Sequence, residues 1–325
     1  MTQLSPPGAT ARRARNASSI GIAAAIFATF SWSLNFLSPY VLQGYTSFDF
    51  VTVRFIFCGV IGGVIVYLNR KRLKGVSVWN VVLAGILGLI GYSGYVYCVM
   101  GGVIFAGPVI PPAILGAVPF GVAVLGNITQ KKISWSKLYL PLVLISLGLG
   151  ITNIVPLVSA PSEEGDDIIV GIFFSFAAVF LWIVFSLLNQ KALSNADDID
   201  PRLWTGLMMF GAGVGMMTIF PFGMIAGWSN FPELGFLGWH AVWLFIWAFG
   251  LAGFSSVAGA WAWNVASQRL PLAITGQLIS VETVFAIILG LILHSELPSW
   301  DQAVGVLLLI AGSIVAVRIS NPEYS

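Results

Sequence analysis

The sequence predicts an all-α polytopic membrane protein with ten transmembrane helices, built as two inverted five-helix repeats with the N and C termini in the cytoplasm. Composition indicates the class, because 58% of the 325 residues are hydrophobic and only 9% are charged, whereas soluble domains average about 25% charged residues. Ten apolar runs of about 20 residues, each long enough to cross a bilayer, give the number of helices. An internal repeat gives their arrangement.

The predicted membrane spans follow one another with short connections. They cover approximately residues 19–40, 48–68, 78–99, 105–127, 137–157, 168–189, 203–226, 240–266, 271–294 and 301–318. The first run lacks a clear small-residue cleavage site, so it is interpreted as a retained helix and not as a signal peptide. Only two cysteines occur, Cys58 and Cys98, which excludes a disulfide framework.

The segments between the spans alternate in charge. Of the 15 Lys and Arg residues, 14 fall in the two tails and around the loops after even-numbered spans. Asp49 and the acidic segment 162–167 fall on the opposite side. The positive-inside rule therefore places the basic side and both termini in the cytoplasm of a multi-pass inner or plasma membrane protein. The net charge of +2 indicates no nucleic-acid partner.

The two halves of the chain share sequence features. The segment GLIGYS at 88–93 recurs as GLAGFS at 250–255, and Trp32 corresponds to Trp182. A shift of 164 residues aligns 119–133 with 283–297 without gaps. Because each copy has five spans, the second enters the membrane from the other side, as in secondary transporters whose substrate site lies between inverted repeats. The predicted units are a cytoplasmic tail at 1–17, repeats at 18–157 and 168–318, an acidic external loop at 158–167 and a cytoplasmic tail at 319–325.

Glu282 is the main candidate for a functional residue. It lies near the middle of span 9, where a charged side chain costs roughly 2.5 to 3.5 kcal/mol and normally faces protein or water. As a cavity-lining group it could pair with a cation such as a substrate amine, or exchange protons. The alternative is a structural hydrogen bond between helices. Thr275 is predicted to share its helical face, whereas Gln277 and Ser280 point elsewhere.

Arg54, in span 2, is the one basic residue outside the cytoplasmic set. It could receive an anionic group or pair with Asp49 or Glu282. Alternatively, its position near the outer third of the span would let it reach the interface by snorkelling.

Further candidates lie on spans 1, 3 and 8. Ser31 and Asn35 belong to a polar stripe that would serve either cavity lining or helix packing. Tyr92 and Tyr95 share a face of span 3, and Trp263 shares one with serines of span 8. Such aromatic stripes form core, interface belt or substrate cage.

Span 4 is predicted to be broken or kinked. It carries Pro108, Pro111, Pro112 and Pro119, and a membrane tolerates the freed carbonyls only where protein or water satisfies them. This indicates a moving or substrate-lining element.

The sequence contains no recognisable enzyme constellation. His240 and His294 are remote from each other and form no HExxH motif or metal cluster with cysteines, and no phosphate-binding GxxxxGK[ST] loop occurs. No catalytic residue, metal or cofactor is therefore predicted.

Several segments resemble EamA-type proteins of the drug/metabolite transporter superfamily, over about residues 18–318. In the first half the resemblance rests on WSLNFLSPYVLQGYTSFDFVTVRF, which includes Arg54. In the second half it rests on the pair Trp263 and Asn264, Arg269 before Leu-Pro, Glu282, the Ser295 and Glu296 ending of span 9, and a Gly-rich last helix. It implies a ten-helix transporter of small metabolites, often an exporter.

The chain departs from the family pattern at two positions. Thr283 stands where the family usually has proline after the glutamate, so we expect a straighter span 9. Lys132 stands where the first repeat commonly holds an acidic residue.

Together these observations predict a secondary transporter that exports small metabolites, such as amino acids or related zwitterionic or amphipathic solutes, by alternating access. Its candidate binding residues are Glu282, Arg54, Asn35, Tyr92, Tyr95, Trp263, Asn264, Thr275 and Ser31. Its expected partners are a small-molecule substrate and the lipid bilayer. The alternative is a non-transporting receptor, scaffold or lipid-handling membrane protein.

Overall fold

The computed structural model describes residues 7–107, 110–159, 167–194 and 199–319, which are almost entirely helical. Within these ranges ten helices are long and apolar enough to cross a membrane, as predicted. In chain order they are α1 Pro7–Ser33, extended by the 3₁₀ segment Leu34–Val41, α2 Ser47–Leu68, α3 Val78–Ala106, α4 Ile110–Gln130, α5 Trp135–Ser159, α6 Ile168–Ser194, α7 Pro201–Ile225, α8 Trp239–Arg269, α9 Leu272–His294 and α10 Trp300–Ile319. Most of the predicted acidic loop, with Glu163, Glu164 and Asp166, lies outside the described residues.

The boundary between α3 and α4 lies later than predicted. Helix α3 continues to Ala106 instead of ending near residue 99, and Gly107, with φ +74°, ends it in a conformation that glycine adopts without strain. The earlier glycines serve packing, since a Cβ added at Gly101 would lie 2.9 Å from the ring of Phe174 on α6.

The regular helices are interrupted at matching places in the two halves. Helix α3 contains the π-helical segment Leu89–Gly94 and α8 contains Ala252–Ala258, where the repeated glycine motifs lie. Helix α4 divides into α4a, Ile110–Leu115, and α4b, Val118–Gln130. Helix α9 divides into α9a, Leu272–Leu278, and α9b, Val281–His294. Such interruptions are frequent at functional sites.

The break in α9 contradicts the straighter helix expected from Thr283. The Ser280 hydroxyl donates to the Gln277 carbonyl oxygen at 2.7 Å, which competes with the backbone for that acceptor. The amides of Ser280, Glu282 and Thr283 bond carbonyls three residues back, at 3.2, 3.0 and 3.1 Å. A serine and a tightened turn therefore interrupt this helix without proline.

The pairing of helices is symmetric with respect to the two halves. Helix α2 packs on α7, α5 on α10, α3 on α6, α1 on α8 and α4 on α9. Exchanging each helix with the one five places away leaves this set unchanged. Glycines allow the closest approach, because a Cβ at Gly59 would lie 2.9 Å from the Cα of Gly213. The pairing supports the predicted repeat, whose inverted orientation stays a prediction.

Helices α2 and α7 each have an aspartate at the start that bonds the loop after the other helix. The buried carboxylate of Asp49, at the start of α2, accepts hydrogen bonds from the Ser229 hydroxyl at 2.5 Å and the Asn230 amide at 2.9 Å, beyond the end of α7. Asp200, just before α7, forms an ion pair with Arg72, beyond the end of α2. Each helix is thus tied at its start to the loop that follows the other.

Candidate functional site

An aromatic cluster lies where the two halves meet. The ring of Trp32 on α1 lies 5.4 Å from Trp182 on α6 and 5.3 Å from Trp263 on α8. Tyr95 and Tyr92 of α3 lie 4.9 and 6.3 Å from Trp182. These rings are close enough for direct aromatic contacts. Because Trp32 and Trp182 are equivalent in the repeat, their contact marks the junction of the halves.

Several buried polar atoms of this cluster lack hydrogen-bond partners among the described residues. They are Tyr92 Oη, Trp182 Nε1, Trp263 Nε1 and, one turn beyond Trp182, Ser186 Oγ. Buried polar groups are nearly always paired, and each unpaired one costs about 1–3 kcal/mol. A concentration of unpaired donors in an aromatic cluster is expected where water or the polar groups of a solute bind.

Glu282 lies in the first turn of α9b, where a carboxylate is favoured by the helix dipole. It is half-buried, and no hydrogen bond or ion pair within the described ranges engages its carboxylate. Tyr95 lies within its electrostatic influence. One turn further along α9b, Phe285 contacts Phe30 of α1 at 5.3 Å. The carboxylate is therefore free to bind a cation or a proton.

Arg54 is buried, with 5% of its surface exposed, so it does not snorkel. Its Nη1 donates to Asn35 Oδ1, which also accepts the hydroxyl of Ser255 at 3.1 Å. Its Nε is buried without a partner. Neither predicted carboxylate pairs with it in the described structure: Asp49 is engaged by Ser229 and Asn230 and Glu282 forms no ion pair. A buried guanidinium facing only neutral partners is suited to bind an anion.

Asn264 forms hydrogen bonds to two other helices. This fully buried amide accepts a hydrogen bond from Asn189 Nδ2 and donates one to Thr205 Oγ1, both at 2.8 Å. It thereby joins α8 to α6 and α7.

Ser31 and Thr275 are also fully buried, and each hydroxyl donates to its own helix, Ser31 to the Phe27 carbonyl at 2.8 Å and Thr275 to that of Leu272 at 3.2 Å. The break in α9 separates Thr275 from Glu282, so the continuous helical face predicted for them does not exist.

Comparison with known proteins shows which proteins this chain is similar to. Residues 169–318 match the EamA-like transporter family. Inner membrane protein YtfF of Escherichia coli (strain K12) is 27% identical over 316 residues, covering 93% of this chain and 96% of that protein. The second half of the chain, residues 169–318, is therefore an EamA-like transporter domain. A protein of known crystal structure, 16% identical, superposes with a TM-score of 0.70 over 93% of this chain and 98% of its own, and thus has the same fold.

This match confirms the family resemblance for the second half of the sequence. EamA-type proteins are transporters and not enzymes, in agreement with the lack of an enzyme motif. The matched family range contains Trp182, Trp263 and Glu282, so the second half supplies much of the aromatic and acidic lining described above.

The binding residues predicted from the sequence do not include Trp32, Trp182 or Ser186 of the aromatic cluster. The repeat alignment contained the signal for Trp182, because it paired this residue with Trp32. Equivalent residues of two repeats contact each other when they lie near the two-fold axis that relates the repeats. Equivalent pairs in an internal repeat are therefore candidates for contacts between the two halves of the chain. Ser186 carried no comparable signal.

The site is closed toward the basic side of the membrane. There Gln130 Nε2 donates to Gln190 Oε1 and Gln190 Nε2 to the Leu270 carbonyl, both at 2.6 Å, while the amide of Leu272 donates to Gln130 Oε1 at 3.1 Å. All seven residues of α9a are buried, whereas Val284 is the one buried residue of α9b. The inner halves of α4 and α9 are thus packed and the outer halves are more exposed.

Proposed function

We propose that this chain is a secondary transporter of the inner membrane, where its relative YtfF is placed by name, and that it exports small zwitterionic or amphipathic metabolites, such as amino acids, by alternating access. The observation that carries this proposal is a pair of opposite charges without charged partners, Arg54 from the first half and Glu282 from the second, joined by the aromatic cluster. Arg54 contacts Asn35, one turn from Trp32, and Glu282 lies three residues before Phe285, whose ring contacts Phe30, two residues from Trp32.

A zwitterion matches this arrangement. Its carboxylate would satisfy Arg54 through charge-assisted hydrogen bonds, and its ammonium group would pair with Glu282. The rings of Trp32, Trp182 and Trp263 offer faces for an apolar body or for the cation. Each buried charge, costly alone, would gain a partner only when the solute is bound.

Alternating access is supported by the packing of the two halves. The polar contacts of Gln130 and Gln190 close the basic side, while the outer half of α9 is largely exposed. Two repeats that meet at a central site are the usual construction of such carriers.

The experiment is solute flux in proteoliposomes across a panel of zwitterionic metabolites. We expect Glu282→Gln and Glu282→Ala to lose most of the flux while the protein still inserts and elutes as a folded species. Glu296→Gln is the matched control, since that carboxylate is exposed after α9 and should leave flux unchanged. Unchanged flux in the Glu282 variants would refute its central role, and no flux of any solute by the unaltered protein would favour a receptor, scaffold or lipid-handling function.

The two roles of Glu282, cation binding and proton exchange, differ in binding experiments. If the carboxylate pairs with the substrate ammonium group, Glu282→Gln should abolish the thermal stabilisation by a transported solute. If it only exchanges protons, the variant, which resembles the protonated state, should keep that stabilisation and lose the response of flux to an imposed pH gradient. We propose the first role because Phe285, three residues after this carboxylate, contacts Phe30, two residues from Trp32 of the aromatic cluster.

A further inference from the structure

The inner halves of α4 and α9 cross in a defined antiparallel register. A Cβ added at Gly126 would lie 2.8 Å from Leu272 Cγ and 3.2 Å from the amide nitrogen of Ala273. A Cβ added at Gly276 would lie 2.7 Å from the amide nitrogen of Ala123 and 2.9 Å from Val122 Cγ1. Moving three residues back along α4 therefore moves three or four residues forward along α9. Continued outward, this register brings Ala117 opposite residues 281 and 282, where both helices are broken.

The repeat alignment meets the contact register at the same point. The shift of 164 residues makes Ala117 equivalent to Val281, which precedes Glu282, and the antiparallel register places Ala117 and Val281 opposite each other. Positions that are both equivalent and opposite lie on a two-fold axis. Such an axis relates each contact on the inner side to an equivalent contact on the outer side. The inner contact of Gly276 with Val122 and Ala123 would then correspond to an outer contact of Pro112 with Ala286 and Ile287.

These outer contacts are absent from the arrangement of the described residues. Pro112 is exposed, and Ala286 and Ile287 are only half-buried. Segment α4a packs mainly on α3, α5 and α6, whereas α9b packs mainly on α1 and α10. Gly290, equivalent to Gly126 by the same shift, has no atom within 4 Å of an added Cβ.

We propose that α4 and α9 carry two alternating gates, and that the outer gate closes by packing Pro112 of α4a against Ala286 and Ile287 of α9b as the inner contact of Gly276 with Val122 and Ala123 opens. The breaks at residues 116–117 and 279–280 are the joints, and Glu282 lies beside them. Gly290 provides the space that the outer crossing requires, as Gly126 does at the inner one. This inference deepens the proposed transport function and rests on it.

The test uses paired cysteines in a background carrying Cys58→Ala and Cys98→Ala. In inverted membrane vesicles, Pro112→Cys with Ala286→Cys should be joined by a short bifunctional thiol reagent. After that reaction, a third cysteine introduced by Ala123→Cys, fully buried here, should react several-fold faster with maleimide from the cytoplasmic side. The control pair, Pro112→Cys with Ile288→Cys, should not be joined, because residue 288 lies two positions from 286 on another face of the helix.

The absence of the Pro112–Ala286 product in protein that transports solute would overturn the proposal, as would cross-linking that leaves the reactivity at position 123 unchanged. Cross-linking is scored on the protein itself, so a product in protein without flux would uphold the gates and refute transport. If the cysteine-free protein does not fold, Gly290→Trp serves instead. The large ring fits the open space but should block outer closure, giving loss of flux with unchanged melting temperature and retained solute binding, whereas Ile288→Trp should keep flux.

Discussion

At the scale of single residues, the unusual feature is a guanidinium buried among neutral partners. Arg54 donates to Asn35 and lies 4.9 Å from the centre of the neighbouring Phe55 ring. Its charge is not neutralised by any carboxylate in the described part of the chain. Removing a charge from water without pairing it is destabilising, so we expect Arg54 to acquire an anionic partner in the working cycle.

Arg54→Gln should weaken the binding of solutes that carry a carboxylate by about 2–5 kcal/mol, the usual effect of deleting one member of a buried charge pair. Arg54→Lys should restore only part of the affinity, because an ammonium group lacks the planar fork of guanidinium. Thermal-shift titration with transported solutes measures both. Arg70→Gln is the control, since that arginine is exposed in the loop after α2, and equal affinity in the Arg54 variants would contradict an anion-binding role.

The residue types that fill the candidate site could be predicted in part. Glu282 and Arg54 stood out because charges are rare in apolar spans, and Tyr92, Tyr95 and Trp263 because aromatic residues recur at helical spacing. The hydrogen bonds of Asn264 could not be predicted, because its partners, Asn189 and Thr205, lie on other helices and leave no trace in its local pattern. A polar residue in a span indicates a partner, but the sequence does not distinguish a neighbouring helix from a solute.

At the scale of elements, the crossing of α4b with α9a depends on glycines that face backbone. At Gly276 the nearest atoms to an added Cβ include the backbone of Ala123, which cannot move aside as a flexible side chain would. The number and approximate limits of the helices followed from the length of the apolar runs. The break in α9 did not, because it results from a serine hydroxyl bonding a nearby carbonyl, which serines in unbroken helices also do.

Gly276→Ala should destabilise the protein by about 1–3 kcal/mol through overpacking of this crossing. The matched control is Gly290→Ala, since Gly290 also lies in α9 but has free space around it. This variant also removes a glycine, a residue that destabilises helices. Melting followed by circular dichroism in detergent should show a lower midpoint for the first variant and an equal or higher one for the second. An unchanged midpoint for Gly276→Ala would show that the inner crossing is looser than the distances indicate.

At the scale of the whole molecule, symmetry connects the separate features. The π-helical segments of α3 and α8, the breaks in α4 and α9 and the anchoring of α2 and α7 by Asp49 and Asp200 each occur once in each half. Each of the five main helix pairs joins a helix of one half to a helix of the other. The sequence contained this symmetry as weak matches separated by 150 to 164 residues. It could not specify which helices pack together, because packing depends on shapes that emerge only in three dimensions.

Inverted orientation of the repeats predicts that the segment 158–167 is external and that residue 325 is cytoplasmic. Alkaline phosphatase fused within that segment should be active and green fluorescent protein fused there dark, whereas the reverse should hold at the C terminus. Both positions on one side of the membrane would contradict the inverted repeat and remove the structural basis for alternating access.

The most direct test of the central claim is solute counterflow in proteoliposomes preloaded with an unlabelled zwitterionic solute that stabilises the protein. A carrier that exposes one site to each side in turn should make a labelled form of that solute accumulate transiently inside, above its external concentration. Glu282→Gln should abolish the overshoot. Simple equilibration of the label, or no uptake of any stabilising solute, would contradict the account.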